Sequence, residues 1–239
     1  MTLVFDVDPA ADKKLAGIYY IDDRGRLEYI GGAWENGRLK ADAYHFSSYA
    51  VLEYDKSFDD LSAEHWAAGT IRELAAKHVI DGVSDRLFAP EQPVTRAQFA
   101  AMLVRALGVS PAKDASAVPF KDVDRAAWYA SSVAAAYSRG LVSGRDEAVF
   151  APDEQITREE MAVMIVRAYE ATTDAKAPEA DAGEASFLDA KLISPWAAAS
   201  VQAGAALSLL EGRADGVYDP QGTTTRAESA QALWNLRNR

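Results

Sequence analysis

Three short stretches carry the residue types with the most chemical promise: VTRAQ at 94–98, ITREE at 156–160 and TTRAE at 224–228. Each sets a Thr-Arg step ahead of an apolar pattern of helical period, with Gln98, Glu160 or Glu228 three residues after Thr95, Thr157 or Thr225. Thr followed at that spacing by Glu or Gln is a capping box, in which two side chains satisfy backbone N–H groups at a helix start. The cap does not account for the arginine. Arg96, Arg158 and Arg226 fall at the first helical position, where a cation faces the positive end of the helix dipole at a cost of a few tenths to about 1 kcal/mol. Two partners could offset that cost: an Asp or Glu from a neighbouring segment, or an external anion held jointly by the guanidinium and the free N–H groups of the helix start. By dipole reasoning alone, Ala at any of the three positions leaves the fold intact or slightly more stable, and damages binding instead.

The rest of the chain sets the terms for such a site. It has 239 residues, 49% hydrophobic and 26% charged, enough for a sizeable core in one large domain or two. With 25 Lys and Arg against 36 Asp and Glu, the net charge is −11. A general basic footprint for nucleic acid or an anionic membrane is absent, so any anion must be caught locally. No cysteine is present, which removes disulfides and Cys-containing zinc sites and leaves the redox compartment open. The longest uncharged stretch, WAAASVQAGAALSLL at 196–210, is too short and too polar to span a bilayer. MTLVFDVDPA at the start has neither a basic region nor a long apolar run, so no signal peptide is visible.

The elements that must position the arginines repeat three times. FDDLSAEHW, FKDVDRAAW and FLDAKLISPW end at Trp66, Trp128 and Trp196. Counting from each Trp, Gly82, Gly144 and Gly212 come 16 residues later, Phe88, Phe150 and Tyr218 at 22, Pro90, Pro152 and Pro220 at 24, and the arginines at 30. Spacings this constant define repeats at 58–110, 120–172 and 187–239, joined by linkers at 110–119 and 171–186. Ile71, Leu74, Ala75 and Val79 share one helical face after Trp66, as do Val133, Ala136, Tyr137 and Leu141 after Trp128. The repeat glycines follow that first helix, where a left-handed C-cap is expected. A second helix begins at Thr-Arg, with Phe99, Met102, Leu103 and Ala106 on its apolar face, matched by Met161, Met164, Ile165 and Ala168, and more weakly by Ser229, Ala232, Leu233 and Leu236. Helix-loop-helix units of this size cannot bury both faces alone, so the three are expected to pack together.

Residues 1–57 differ: GIYYI, RLEYIGGAW and RLKADAYHFSSYAVLEY are strand-rich and separated by DDRG and ENG turns. We read a small β-meander, the end of a larger upstream β domain whose absence would also explain the lack of a signal peptide. The expected fold class is mainly α: three tandem helix-loop-helix repeats in a pseudo-threefold bundle, preceded by this segment.

The Trp at the start, GLVSG at 140–144, the F-x-P pattern and the TRAE-like motifs, in three spaced copies, resemble the S-layer homology family over roughly residues 58–239. The resemblance implies a pseudo-threefold bundle that anchors a bacterial surface protein non-covalently to secondary cell-wall polysaccharide bearing a pyruvate ketal. It also implies a secreted, cell-wall location, with grooves between repeats as the sites and Arg96, Arg158 and Arg226 meeting the ketal carboxylate. Three departures bear on this. Gln98 stands where the motif has Glu, His78 and Ser208 stand where the second copy has Gly140, and Thr224 replaces Val94 and Ile156. The third groove is the one expected to have lost ligand binding, and three sites is an upper bound.

Trp66, Trp128 and Trp196 offer faces for sugar stacking, or pack into the core at matched helix starts. Gly82, Gly144 and Gly212 punctuate the backbone or let a sugar approach closely. Asp81 and Ser143 add candidate polar contacts. Asp22-Asp23 reads as a hairpin turn, since no EF-hand spacing follows. His45, His65 and His78 show no metal-ligand spacing, and no hydroxyl sits in a G-x-S-x-G context. The chain is therefore read as a binding module with no enzyme activity, no cofactor, no nucleic-acid partner and no membrane insertion. The alternatives are a helical protein-interaction scaffold, though the repeat lacks the 34-residue TPR period, and an accessory anchor of a surface glycoside hydrolase.

Overall fold

The computed structural model describes residues 1–114, 118–178 and 187–239, so half of the expected linker between the second and third repeats lies outside the described residues. The chain divides into two compact units, Met1–Ala89 and Pro90–Arg239. The expected boundary at 57/58 falls inside the first of these.

Unit one holds six strands: β1 (Thr2–Asp6), β2 (Ala16–Ile21), β3 (Leu27–Gly31), β4 (Ala33–Glu35), β5 (Arg38–Asp42) and β6 (Ser48–Glu53). They form two antiparallel three-stranded sheets of order β1-β5-β4 and β3-β2-β6. Ala16, Ile18 and Leu39 are fully buried, and Phe5, Ile30, Trp34 and Val51 pack against them. Two turns read from sequence are present. DDRG joins β2 to β3, and Asn36-Gly37, with φ of 52° and 80°, gives the doubly positive turn that matches strand twist between β4 and β5. The six strands also correct the fold class. Among the described residues, beside six α-helices, three of them only nine residues long, two sheets make this an α and β chain rather than a mainly α one. The segment is not a simple meander either, because β1 pairs with β5, past β2, β3 and β4, rather than with β2.

Helix α1 (Ala68–Ala76) completes unit one and buries Ile71, Leu74 and Ala75 as its periodicity requires. His78 follows it with φ of 51°, a left-handed position where the second repeat has Gly140 at 70° and the third has Ser208 at 51°. The imidazole stacks on Tyr29, touches Tyr54 and lies within hydrogen-bond distance of the Tyr19 hydroxyl at 3.2 Å. These ring contacts account for a histidine at a position that favours glycine. Arg72 reaches Asp55 through two hydrogen bonds of 2.6 and 2.7 Å, fixing the end of the strand segment against α1.

Unit two contains α2 (Arg96–Ala106), α3 (Ala130–Ser138), α4 (Arg158–Thr173), α5 (Ala198–Ala206) and α6 (Arg226–Arg237). All three Thr-led helices have complete capping boxes: Thr95 with Gln98, Thr157 with Glu160 and Thr225 with Glu228. Helix α2 packs on α3, α4 and α6, and α4 on α5 and α6. The residues just before the caps close a ring: Val94 N–H donates to Thr224 O, Thr224 N–H to Ile156 O, and Ile156 N–H to Val94 O, at 2.9 to 3.0 Å. Each helix start then borrows carbonyls from the next loop in the cycle. Arg96 and Ala97 N–H donate to Glu154 and Pro152 O, Arg158 and Glu159 to Gly222 and Pro220 O, and Arg226 and Ala227 to Gln92 and Pro90 O. Buried N–H groups at helix starts need partners, and here the neighbouring repeat supplies them.

The first acidic residue shared by the repeats has a role that its spacing did not reveal. Asp60, Asp122 and Asp189 each accept from two consecutive backbone N–H groups, those of Phe88 and Ala89, Phe150 and Ala151, and Tyr218 and Asp219, at 2.7 to 2.9 Å. Ala89, Ala151 and Asp219 have φ of 56° to 59°, a conformation costly for residues other than glycine unless its surroundings enforce it.

One ring position departs from the others. Val94, Ile156 and Thr224 are all fully buried, and the Thr224 hydroxyl has no hydrogen-bond partner. Burying an unpaired hydroxyl costs about 1–3 kcal/mol, so Thr224→Val, which keeps the shape, raises the melting temperature by a few degrees. The reciprocal Val94→Thr lowers it. Thermal melts of the two variants beside the parent protein measure both.

Candidate functional site

A groove of about 480 Å³ opens in unit two, lined by residues from all three repeats. Arg96 comes from the start of α2, Ser143, Gly144 and Arg145 from the loop after α3, Glu160, Met164 and Arg167 from one side of α4, and Trp196 from the approach to α5. Four residues expected from sequence, Arg96, Ser143, Gly144 and Trp196, are thus brought together. Arg145 and Arg167 were not singled out, although their spacing from Gly144 and Arg158 is visible in the sequence.

Arg96 is 3% exposed, and every nitrogen of its head group is engaged. Nε donates to Phe150 O at 2.8 Å, Nη2 to Ser143 O at 3.0 Å, and Nη1 pairs with Glu160 Oε1 at 3.0 Å, while the guanidinium lies 4.9 Å from the centre of the Phe150 ring. Arg158, also 3% exposed, repeats the arrangement one step on, donating to Tyr218 O and Glu211 O at 2.6 Å and to Glu228 Oε1 at 2.9 Å, above the Tyr218 ring. Arg226 is buried at the corresponding start of α6. Two expectations change as a result. The N–H groups of each helix start are not free for an anion, since loop carbonyls hold them, and the dipole cost at Arg96 and Arg158 is offset by an internal carboxylate and two carbonyls. The arginine that looked dispensable to the fold is a buried, fully bonded part of it.

Electrostatics follow from this packing. Burial pushes the Arg96 guanidinium down from its ordinary value, and the Glu160 charge partly opposes that. Burial alone would raise Glu160, but the hydrogen bond from Arg145, the Arg96 charge and the Thr157 N–H together hold its carboxyl below the usual range. Glu228 is held down in the same way, burial being outweighed by Arg213, the Thr225 N–H and Arg158.

The glycines are explained by space rather than by left-handed backbone. Gly82, Gly144 and Gly212 have ordinary φ, and the positive values fall four residues earlier, on His78, Gly140 and Ser208. A Cβ on Gly144 would lie 2.6 Å from Val149 O and 2.7 Å from the Phe120 ring, and one on Gly82 would meet Leu87 O and Phe58 at the same distances. The crowding around Gly212 is similar. Trp66, Trp128 and Trp196 are 59% to 62% exposed, so they are not core residues. Three matched, exposed indoles are available for stacking, and Trp196 stands at the groove. Asp81 and Gly82 line a separate hollow of about 330 Å³ within unit one, with Lys56 and His78. Among the described residues no group of His, Cys, Asp and Glu could hold a metal ion.

Two consequences can be measured. Removing one partner of a buried ion pair costs about 3–5 kcal/mol, so Arg96→Ala and Arg158→Ala each shift denaturant unfolding by an amount of that order. A carboxyl whose folded pKa is lowered stabilises fully above its unfolded value and loses that contribution as pH falls through the folded value. The stabilisation from Glu160 and Glu228 is therefore present above the ordinary glutamate value of about 4.3 and lost below it. Melting curves of the Glu160→Gln, Glu228→Gln double variant, whose caps can still form as at Gln98, fall less between about pH 5 and pH 2 than those of the parent.

The S-layer homology domain family matches the chain at residues 57–100, 119–162 and 186–230. An amylopullulanase of Thermoanaerobacterium thermosulfurigenes is 38% identical over 226 residues, covering 94% of this chain and 12% of that protein. Exoglucanase XynX of Acetivibrio thermocellus is 38% identical over 186 residues, 78% of this chain and 17% of its own length. An S-layer protein of Bacillus thuringiensis subsp. finitimus is 30% identical over 183 residues, 77% of this chain and 21% of that protein. The chain thus spans between about an eighth and a fifth of these relatives. With its three matched repeats, this chain belongs to the S-layer homology domain family.

Proposed function

We propose that the chain is a non-covalent anchor to the bacterial cell wall, acting at the cell surface and holding there whatever larger protein it is joined to. The relatives named as an S-layer protein, an amylopullulanase and an exoglucanase support this reading, since proteins of such different names each match this chain over a small part of their own length. No helix of the described residues is long and apolar enough to cross a membrane. The wall ligand is secondary cell-wall polysaccharide with a pyruvate ketal, and the repeats at 58–110, 120–172 and 187–239 form the anchoring part behind the β-rich segment 1–57. A surface glycan hydrolase is one cargo consistent with the relatives.

The observation that carries the reading is the groove itself. In a chain of net charge −11 its walls hold three guanidinium groups and one carboxylate beside an exposed indole. A sugar face laid on Trp196 and an acidic substituent turned toward the arginines satisfies both features. Gly144 keeps the loop close to that space, and the corresponding residues of the other repeats, Arg158 with Gly212, and Arg226, Trp66, Trp128, Asp81 and Gly82, are candidates for further contacts.

Co-sedimentation with cell-wall sacculi tests the reading, before and after the polysaccharide is stripped. Binding is expected to the native wall and lost on the stripped wall, and equal binding to both would show that peptidoglycan or protein is the partner. Trp196→Ala is expected to weaken binding by roughly tenfold, about 1.4 kcal/mol, while the melting temperature stays within a degree or so because the indole is exposed.

A further inference from the structure

Arg96 is nearly buried and each of its three nitrogens already serves Glu160, Phe150 or Ser143, so its charge is largely spent within the fold. Glu160 in turn lies between Arg96 and Arg145, accepting from Nε of Arg145 at 2.9 Å and, through its other oxygen, from Nη2 at 3.4 Å. One negative charge is thus shared by two cations. Arg167 sits on the same helix as Glu160, two turns further on, and also lines the groove. It is half-buried, and its Nη1 donates to the Ser143 hydroxyl at 3.1 Å. Among the described residues it has no carboxylate partner, so its other donors are available on the groove side.

The third repeat provides an internal comparison. There Arg213, the counterpart of Arg145, is pinned by Glu228 through Nε at 2.9 Å and Nη2 at 3.2 Å, by Thr223 O at 2.9 Å and by Asp219. The counterpart of Arg167 is Asn235, whose amide donates to Leu209 O at 3.2 Å. Two arginines there, Arg158 and Arg213, meet two carboxylates, Glu228 and Asp219, so that the charges balance. By comparison, the groove at α4 keeps an excess of positive charge, and among the described residues Arg167 is the cation in it without a carboxylate partner.

We propose that Arg167, held in place by the Ser143 hydroxyl, takes the carboxylate of an acidic sugar substituent in this groove, while Arg96 is a positioning residue that fixes Glu160 and the Ser143 loop. The proposal rests on the wall-saccharide reading above and adds which residue selects the charge and which groove does so. It follows that the groove distinguishes a sugar acid from its neutral ester, and that Asn235 in the third repeat leaves the equivalent position without that selection.

The test is calorimetric titration of the whole chain with two probes: a methyl glycoside bearing a pyruvate ketal, and the methyl ester of the same ketal. The parent protein is expected to bind the acid at least tenfold more tightly than the ester. Arg167→Gln is expected to erase that difference by weakening the acid far more than the ester, with the melting temperature unchanged. Arg167→Lys restores part of it, since charge remains but the planar fork is lost. Equal binding of acid and ester by the parent, or undiminished acid binding by Arg167→Gln, overturns the assignment and leaves the wall reading intact. Failure of the parent to bind either probe while it still sediments with native wall overturns the ketal reading and this proposal with it.

Discussion

The structure of unit two depends on a ring of three backbone hydrogen bonds. Val94, Thr224 and Ile156 each donate to the next around the cycle, and each lies one residue before a helix cap. Because a helix leaves its first N–H groups without internal partners, whatever fixes the chain just before the cap also decides what those groups can reach. Here they reach the loop of a different repeat, at Pro152 and Glu154, Pro220 and Gly222, and Pro90 and Gln92. A repeat therefore cannot complete its own second helix. The Thr-Arg step, the F-x-P loop and the shared Asp that clamps that loop are parts of one device spread over two repeats.

That division explains what sequence could and could not disclose. Features satisfied within a few residues were legible: the three capping boxes are present at Thr95, Thr157 and Thr225, the apolar faces around Leu103, Ile165 and Leu233 are buried, and the Asn36-Gly37 turn has the backbone its residues favour. Features satisfied across repeats were not. Dipole reasoning treats Arg96 as a surface residue, whereas Glu160 and the carbonyls of Phe150 and Ser143 enclose it. The same limit applies to Gly144, whose small size is required by Val149 O and Phe120, atoms whose proximity no local pattern encodes. Burial of the tryptophans was undetermined for a related reason. An aromatic at a helix start fits a core or a surface equally well until the neighbouring repeat is placed. Residues 1–57 showed their strand character but not their pairing, because β1 joins β5 across a stretch of chain that holds β2, β3 and β4, a long-range closure that turn signals do not specify.

Site and scaffold are also harder to separate than the motif suggests. Arg96, Glu160 and Arg145 form a chain of charge that runs from a buried guanidinium to an exposed one. The buried end secures the loop holding Ser143 and Gly144, and the exposed end faces the groove. Loss of binding on substitution of Arg96 would therefore say little about contact with a ligand, since the same change frees the Ser143 carbonyl and leaves Phe150 O unpaired in the interior. Substitution of Arg167 does not carry that ambiguity, as its one hydrogen bond is to a side chain on the surface.

The uneven charge of the grooves has a physical consequence for how such a chain finds its ligand. With a net charge of −11, an acidic polymer is repelled at long range, but that repulsion is screened beyond about 8 Å at physiological ionic strength. Short-range contact then decides. Two guanidinium groups that share Glu160, with Arg167 beside them, keep a local positive field within the groove, where the protein walls limit screening. In the third repeat Asp219 and Glu228 balance the two arginines, so an acidic group would gain little there. Raising salt should thus act in two opposite ways, weakening the general repulsion and the local attraction, and the buried ion pairs that hold the groove open should be the least affected of all. On the proposed reading, a fold whose permanent charges are paired between repeats lets Arg167 vary in function without altering the ring on which the stability of unit two rests.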